Sequence, residues 1–155
     1  MKLVLYYFSI PFWRAEVTRL ALFIGDISFT DYRIEKDDYE IFKKTGKLPN
    51  NQIAPFKQLP VLEVDGKIFS QTGSIARFCG KLSGLYPTNN NYEAALIDQV
   101  IEACQDINFM YTLSNRDKDP EKKKIAREIL ANKHLPKWFQ FLENLFISNN
   151  KSIWF

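Results

Sequence analysis

The sequence predicts an α/β domain built on one mixed four-stranded sheet, followed by an all-α segment. Three observations carry this expectation. Residues 3–34 read strand, helix, strand. Residues 61–82 read strand, tight turn, strand, helix. Beyond residue 90 the apolar periodicity is helical only. A strand–helix–strand start implies a parallel pair and a tight hairpin an antiparallel one, so one sheet holding both is mixed.

Residues 3–7 alternate apolar side chains and break at Ser9 and Pro11, as a buried strand does. In residues 14–24, Val17, Leu20, Ala21 and Ile24 fall at i, i+3, i+4 and i+7, which predicts an amphipathic helix closed by Gly25. Residues 28–34 form a second strand. Residues 36–47 are polar and irregularly helical, and 49–55 are loop. Val61–Val64 is the third strand, Asp65-Gly66 a tight-hairpin signal and Lys67–Ser70 the returning strand. Thr72–Leu82 is a helix, with Ile75, Phe78, Cys79 and Leu82 on one side. This βαβ-ββα order is the thioredoxin-like arrangement. Residues 83–90, with Gly84, Pro87 and three consecutive asparagines, read as a linker. Helices are expected over 93–113, 121–130 and 137–147, with Pro136 kinking or restarting the chain. The domains are therefore 1–82 and 91–155, joined by 83–90.

The 155 residues are enough for one ordinary domain or two small ones. With 46% hydrophobic and 25% charged residues the chain reads as soluble and globular. A net charge of +3 is too small to argue for nucleic acid, though it is compatible with a small anionic ligand. Lys122-Lys123-Lys124 lies beside Asp119 and Glu121 and reads as a solvated helix face. No stretch is long and apolar enough for a bilayer, and the N-terminus lacks a signal-peptide pattern, so a cytoplasmic protein without a membrane partner is expected. Cys79 and Cys104 fall in helical patterns without metal or redox spacing and read as small core residues in a reducing compartment. His134 is the sole histidine, which excludes a multi-histidine metal site, and no metal is expected.

Three local signals carry chemistry. In Phe56-Lys57-Gln58-Leu59-Pro60-Val61-Leu62 a proline directly precedes an apolar strand, although proline cannot donate to a ladder. Either the Leu59–Pro60 bond is cis and turns the Leu59 backbone outward to pair with an extended peptide, or a trans proline starts the strand. In Ser70-Gln71-Thr72-Gly73-Ser74 a strand gives way to a helix. Its free N–H groups can hold a carboxylate with Gln71 and Thr72 as donors, or Thr72 is a simple N-cap. Tyr7 lies at the carboxyl end of the first strand with Ser9 just after it, the edge where α/β active sites gather. A hydroxyl there can stabilise a thiolate, or Tyr7 simply packs at a strand end.

Taken in order, these segments resemble the sigma-type and parasite glutathione transferases, a group that includes the haematopoietic prostaglandin D synthase type and the lens S-crystallins. The matching residues are Tyr7-Phe8, Arg14-Ala15-Glu16, Tyr32-Arg33-Ile34-Glu35, Leu59-Pro60-Val61-Leu62-Glu63-Val64-Asp65-Gly66, Gln71-Thr72, Ile75-Ala76-Arg77 and Gln105-Asp106-Ile107. The resemblance runs from Leu3 to about residue 147. It implies a glutathione S-transferase with glutathione as cosubstrate and a hydrophobic electrophile as second substrate. Tyr7 would hydrogen-bond the sulfur and Arg14 would steady the thiolate. Tyr39 and Lys43 would hold the glycine end, with Tyr39 standing where the family has tryptophan. Gln58, Leu59 and Pro60 would hold the cysteine segment, and Gln71 and Thr72 the γ-glutamyl group. Asp106 matches an aspartate that reaches glutathione in the opposite subunit, so a homodimer is implied. Phe56 falls where related classes insert a ring into the partner; an ordinary core phenylalanine is the alternative.

Two departures stand out. Ser9-Ile10-Pro11-Phe12-Trp13 is one residue longer than the family's usual stretch and resembles the loop of serine-type transferases, so Ser9 is the alternative thiol activator. The loop contains no cysteine, which argues against disulfide exchange. After Ile153-Trp154-Phe155 the family continues with further helices, so the helical domain reads as incomplete. The electrophile wall would involve Phe109, Met110 and Leu113. A non-catalytic, S-crystallin-like structural or ligand-binding protein and a prostaglandin isomerase are the competing functions.

Overall fold

A computed structural model describes residues 1–11 and 13–149. Its sheet contains β1 (Leu3–Phe8), β2 (Thr30–Ile34), β3 (Val61–Val64) and β4 (Lys67–Ser70), in the order β2-β1-β3-β4. β1 is parallel to β2 and antiparallel to β3, and β3 is antiparallel to β4, so the sheet is mixed as expected. The parallel pair is bridged by helix α1 (Glu16–Ile24). Helix α2 (Lys36–Thr45) follows β2, and α3 (Thr72–Leu82) follows β4.

β1 is apolar throughout because it is covered on both faces. Leu3, Leu5 and Tyr7 pack with Leu62, Ala21 and Leu22 of α1, and Ile75 and Cys79 of α3. Val4 and Tyr6 pack with Ile34, Val61, Phe42 of α2, Leu48 and Ala54. The period of two sends alternate side chains to opposite layers. On the α2 side, Glu63 is a buried carboxylate that accepts from the Tyr6 hydroxyl at 2.9 Å and Asn50 Nδ2 at 2.7 Å. Burial first, and then the bond to Glu63, push the Tyr6 pKa up, so its hydroxyl stays protonated. The pair also ties the loop before β3 to the sheet.

Asp65 and Gly66 both have positive φ, 47° and 81°, the geometry of a two-residue hairpin turn. Gly46 caps α2 in the left-handed region, and its N–H donates to the Phe42 carbonyl. Gly25 is the C-cap of α1, as expected, and its N–H donates to the Ala21 carbonyl, but without a left-handed backbone. Its φ is −78°, open to any residue, but an added Cβ would lie 2.6 Å from Ser83 Cβ. Glycine is needed there for close packing between the ends of α1 and α3.

The chain divides into two units, Met1–Asn90 and the residues from Asn91 onward. The second contains α4 (Asn91–Ser114), α5 (Pro120–Ile129), one π-helical turn at Leu130–His134, and α6 (Leu135–Ser148). Asp119 caps α5, its side chain accepting from Glu121 N, with Pro120 in the first turn. Pro136 neither ends the chain's helical run nor interrupts α6. The wide turn precedes it, and Pro136 sits in the first turn of α6. Residues 150–155, which the sequence reading places in this domain, lie outside the described residues, as does Phe12.

The cysteines part company. Cys79 is buried in the first core, where burial pushes its thiol up to about 12. Cys104 is exposed on α4 rather than a core residue, although partial burial still pushes its thiol pKa up. A neutral thiol reagent should therefore modify Cys104 in the native protein and Cys79 only after unfolding, read by mass spectrometry of the labelled peptides. Gly25→Ala should lower stability by about 1–3 kcal/mol through overpacking against Ser83, with partial recovery in the double variant with Ser83→Gly, measured by urea unfolding.

Candidate functional site

The sheet register gathers the three chemical segments. Tyr6 pairs with Val61, and Val61 pairs with Ser70. One residue further along each strand lie Tyr7, Pro60 and Gln71. The carboxyl ends of β1 and β4 and the entrance of β3 thus share one end of the sheet. The Leu59–Pro60 peptide is cis, so the cis alternative of the sequence reading is the one realised.

Tyr7 is 1% exposed. The backbone N–H of Arg14 donates to its hydroxyl oxygen, and the Arg19 guanidinium lies 5.9 Å from its ring centroid. Burial pushes the Tyr7 pKa up, while that N–H and the charges of Arg14 and Arg19 oppose the rise. The net direction is upward, so Tyr7 holds its proton at neutral pH. Because the oxygen already accepts from Arg14, the hydroxyl proton can be donated to a third group. Ser9 sits at an exposed bend immediately after β1.

Ring contacts carry the site onto α2. Phe8 meets Tyr7 edge-on at 5.0 Å and Tyr39 at 4.9 Å. Tyr39 therefore stands at the same end as Tyr7, and Lys43 is exposed one turn further along α2. At the start of α3, Gln71 is the flanking residue and no side chain caps the helix. The N-cap role considered for Thr72 is not realised: Thr72 is the first helical residue and is buried. The uncapped first turn keeps N–H groups and the positive end of the dipole available to an anion.

Six described non-glycine residues have positive φ. Asp26, Asn51 and Asp65 are of types that tolerate it. The other three are Trp13 at 96°, Lys57 at 49° and Gln71 at 83°. Each lies in one of the three loops at the shared sheet end. Such conformations cost on the order of 1–3 kcal/mol each and cluster at functional sites. Sequence patterns carry no signal for them.

An ion-pair chain was likewise not read from sequence. Arg19, 8% exposed, bonds Asp31 through Nε at 3.0 Å and Glu16 through a terminal nitrogen at 3.1 Å. Arg33 bonds the same Asp31 through Nε at 2.6 Å and donates a terminal N–H to the Ile10 carbonyl. The alternation of β2, with Asp31 and Arg33 two residues apart, is the one hint that they share a face.

Gln58 is exposed beside Leu59. Phe56 is 61% exposed, which rules out the core alternative. Asp106 is exposed on α4 and belongs to the second unit. Phe109 and Leu113 are exposed on the same helix, and Met110 is half-buried. Among the described residues no cluster of metal-ligating side chains occurs, and no helix is long and apolar enough to cross a membrane.

The mixed four-stranded sheet with a cis proline at the entrance of β3 defines a thioredoxin-like domain of the kind that begins glutathione transferases. Residues 3–80 match the family model of the glutathione S-transferase N-terminal domain. Glutathione S-transferase 2 of Manduca sexta is 31% identical over 149 residues, 96% of this chain and 68% of that protein. Glutathione S-transferase 2 of Caenorhabditis elegans is 29% identical, over 88% of this chain and 66% of that one. Hematopoietic prostaglandin D synthase of Gallus gallus is 32% identical, over 77% and 55%. The prostaglandin synthase D structure of Nilaparvata lugens superposes with a TM-score of 0.83 at 32% identity, covering 96% of this chain and 70% of that one. The chain belongs to the glutathione S-transferase family. It spans between about half and about two thirds of the length of these curated relatives.

The buried Glu63 bond is tested by Tyr6→Phe, which takes one of two donors from a buried carboxylate. It should cost about 1–3 kcal/mol in urea unfolding, while Tyr32→Phe, whose hydroxyl donates to the partly exposed Asp38 at 3.1 Å, should cost less.

Proposed function

We propose that this chain binds glutathione at the shared end of the sheet and stabilises its thiolate for attack on a hydrophobic electrophile. The observation that carries the reading is the adjacent row of Tyr7, cis Leu59–Pro60 and Gln71. An extended tripeptide needs a backbone to pair with, an anion site for its γ-glutamyl carboxylate, and a donor at the sulfur between them. Leu59 offers the backbone pair, with Gln58 and Pro60 flanking it. Gln71 and Thr72 with the first turn of α3 take the γ-glutamyl group. Tyr39 and Lys43 take the glycine end. Asp106 adds a contact from the opposite subunit of a homodimer, and the exposed Phe56 is suited to insert there. Phe109, Met110 and Leu113 contribute to the wall for the electrophile. Glutathione is the cosubstrate, no metal is required, and the setting is cytoplasmic.

Tyr7 acts as a donor, not a base. Its raised pKa keeps the proton on oxygen, and the Arg14 N–H fixes that oxygen, so the hydroxyl is preorganised toward sulfur. A free thiol has a pKa near ~8.5, and lowering it by about two units requires about 2.7 kcal/mol of preferential thiolate stabilisation. One fixed hydroxyl plus the Arg14 and Arg19 charges are of that order. The thiolate lone pair then forms the carbon–sulfur bond as the leaving group departs with its electron pair.

A second reading, glutathione-dependent prostaglandin isomerisation, is favoured by the prostaglandin D synthases among the relatives. It uses the same thiolate. An S-crystallin-like protein without catalysis would keep the binding residues and lack turnover.

Conjugation of glutathione to a chloronitrobenzene tests the proposal. Tyr7→Phe should lower the rate about 100-fold while remaining bound to a glutathione matrix, and Ser9→Ala should stay near the parent. Collapse of Ser9→Ala instead would move the role to Ser9. A parent that binds glutathione without a rate above buffer would contradict the transferase reading.

A further inference from the structure

The connection between β1 and α1 carries the Arg14 N–H that meets the Tyr7 hydroxyl. Ile10 N donates to the Phe8 carbonyl at 2.8 Å, Glu16 N donates to the Trp13 carbonyl at 3.0 Å, and Trp13 is held at a φ of 96°. A segment bent this way needs an outside anchor to persist. The Arg33 side chain provides one. Its guanidinium is fixed at one corner by Asp31 and gives another corner to the Ile10 carbonyl. Asp31 is in turn held by Arg19 from α1. The planar fork thus ties the loop to β2 in a single geometry, which a lysine cannot reproduce because its donors all radiate from one rotating nitrogen.

We propose that Arg33 is a positioning residue for the thiol site: by holding the Ile10 carbonyl it sets the β1–α1 connection, and through it the Arg14 N–H on Tyr7. The inference rests on the glutathione-binding reading above and deepens it. Arg33 stands opposite Tyr7 in the β1–β2 ladder and is itself given no part in holding glutathione, so its effect falls on the thiol more than on affinity. The charged groups around Tyr7 are Arg14 from the loop, Arg19 from α1, and Arg33 with its partner Asp31 from β2. Cys79 of α3 shares its core cluster as a neutral thiol, and Glu63 of β3 lies on the opposite layer with Tyr6. Replacing Arg33 leaves the Arg19–Asp31 and Arg19–Glu16 pairs in place, so the anchor can be removed alone.

The test compares the parent with Arg33→Met and Arg33→Lys. Glutathione affinity is measured by calorimetry, the bound thiol is titrated by thiolate ultraviolet absorbance, and amide hydrogen exchange is followed over residues 9–14. Arg33→Met should keep affinity within about threefold and titrate about one pH unit higher. Conjugation should then fall about tenfold near pH ~6.5 and return toward the parent near pH ~9. Exchange should accelerate over residues 9–14 and not in α3, and Arg33→Lys should fall between the two. Unchanged thiol titration in folded Arg33→Met would overturn the role. If that variant does not fold, parent-like titration and exchange in Arg33→Lys would overturn it equally. A parent whose bound glutathione titrates like free glutathione would overturn the thiol-activation reading itself, and that failure is visible before any substitution is made.

Discussion

The burial of β1 on both faces is the constraint on which the first unit depends. It pairs with β2 on one side and β3 on the other, and Leu3 through Tyr7 are all buried. Its alternation divides the domain into two layers, Leu3, Leu5 and Tyr7 toward α1 and α3, Val4 and Tyr6 toward α2. A register slip of one residue would exchange those layers and place Tyr6 where Tyr7 stands. The end of this strand is therefore a fixed point from which chemistry can be hung. Tyr7 closes the buried run where the register brings Pro60 and Gln71 alongside.

Around that point the backbone adopts costly conformations, and the surroundings hold it there. Trp13, Lys57 and Gln71 take positive φ in three separate loops, although none belongs to a type that favours it. Two of the loops have a support elsewhere. The Lys57 stem lies against Gly46, where a Cβ would meet Lys57 Cγ at 2.6 Å, and Asn50 is drawn in by the buried Glu63. The β1–α1 connection is held by Arg33. Rigid helices and strands thus place three shaped loops, which is how a site gains geometry without being part of the regular scaffold.

Much of the scaffold was legible in the sequence because it rests on local rules. The i, i+3, i+4 spacing of Ile75, Phe78 and Cys79, the Asp65-Gly66 turn and the apolar run before Ser9 each determine their own segment. Pro60 before a strand pointed to an unusual backbone, and resemblance to a family turned it, Gln71 and Tyr7 into one site. Other features depend on what the chain meets in space. Gly25 reads as a helix cap and is one, but its close approach to Ser83 depends on a second helix. Cys104 had the periodicity of a core residue and is exposed. Arg19, Asp31 and Arg33 form a chain across α1 and β2 that no spacing within one element reveals. The π-helical turn before Pro136 likewise has no signal in residue type or spacing.

The central claim is that glutathione occupies the end of the sheet where β1, β3 and β4 meet. Amide hydrogen exchange with and without saturating glutathione addresses it residue by residue. Protection should increase at Leu59, over the first turn of α3 from Thr72, and along residues 9–14, with the strands' central amides unchanged. Binding without protection at those three segments, or protection confined to α5 and α6, would contradict the placement.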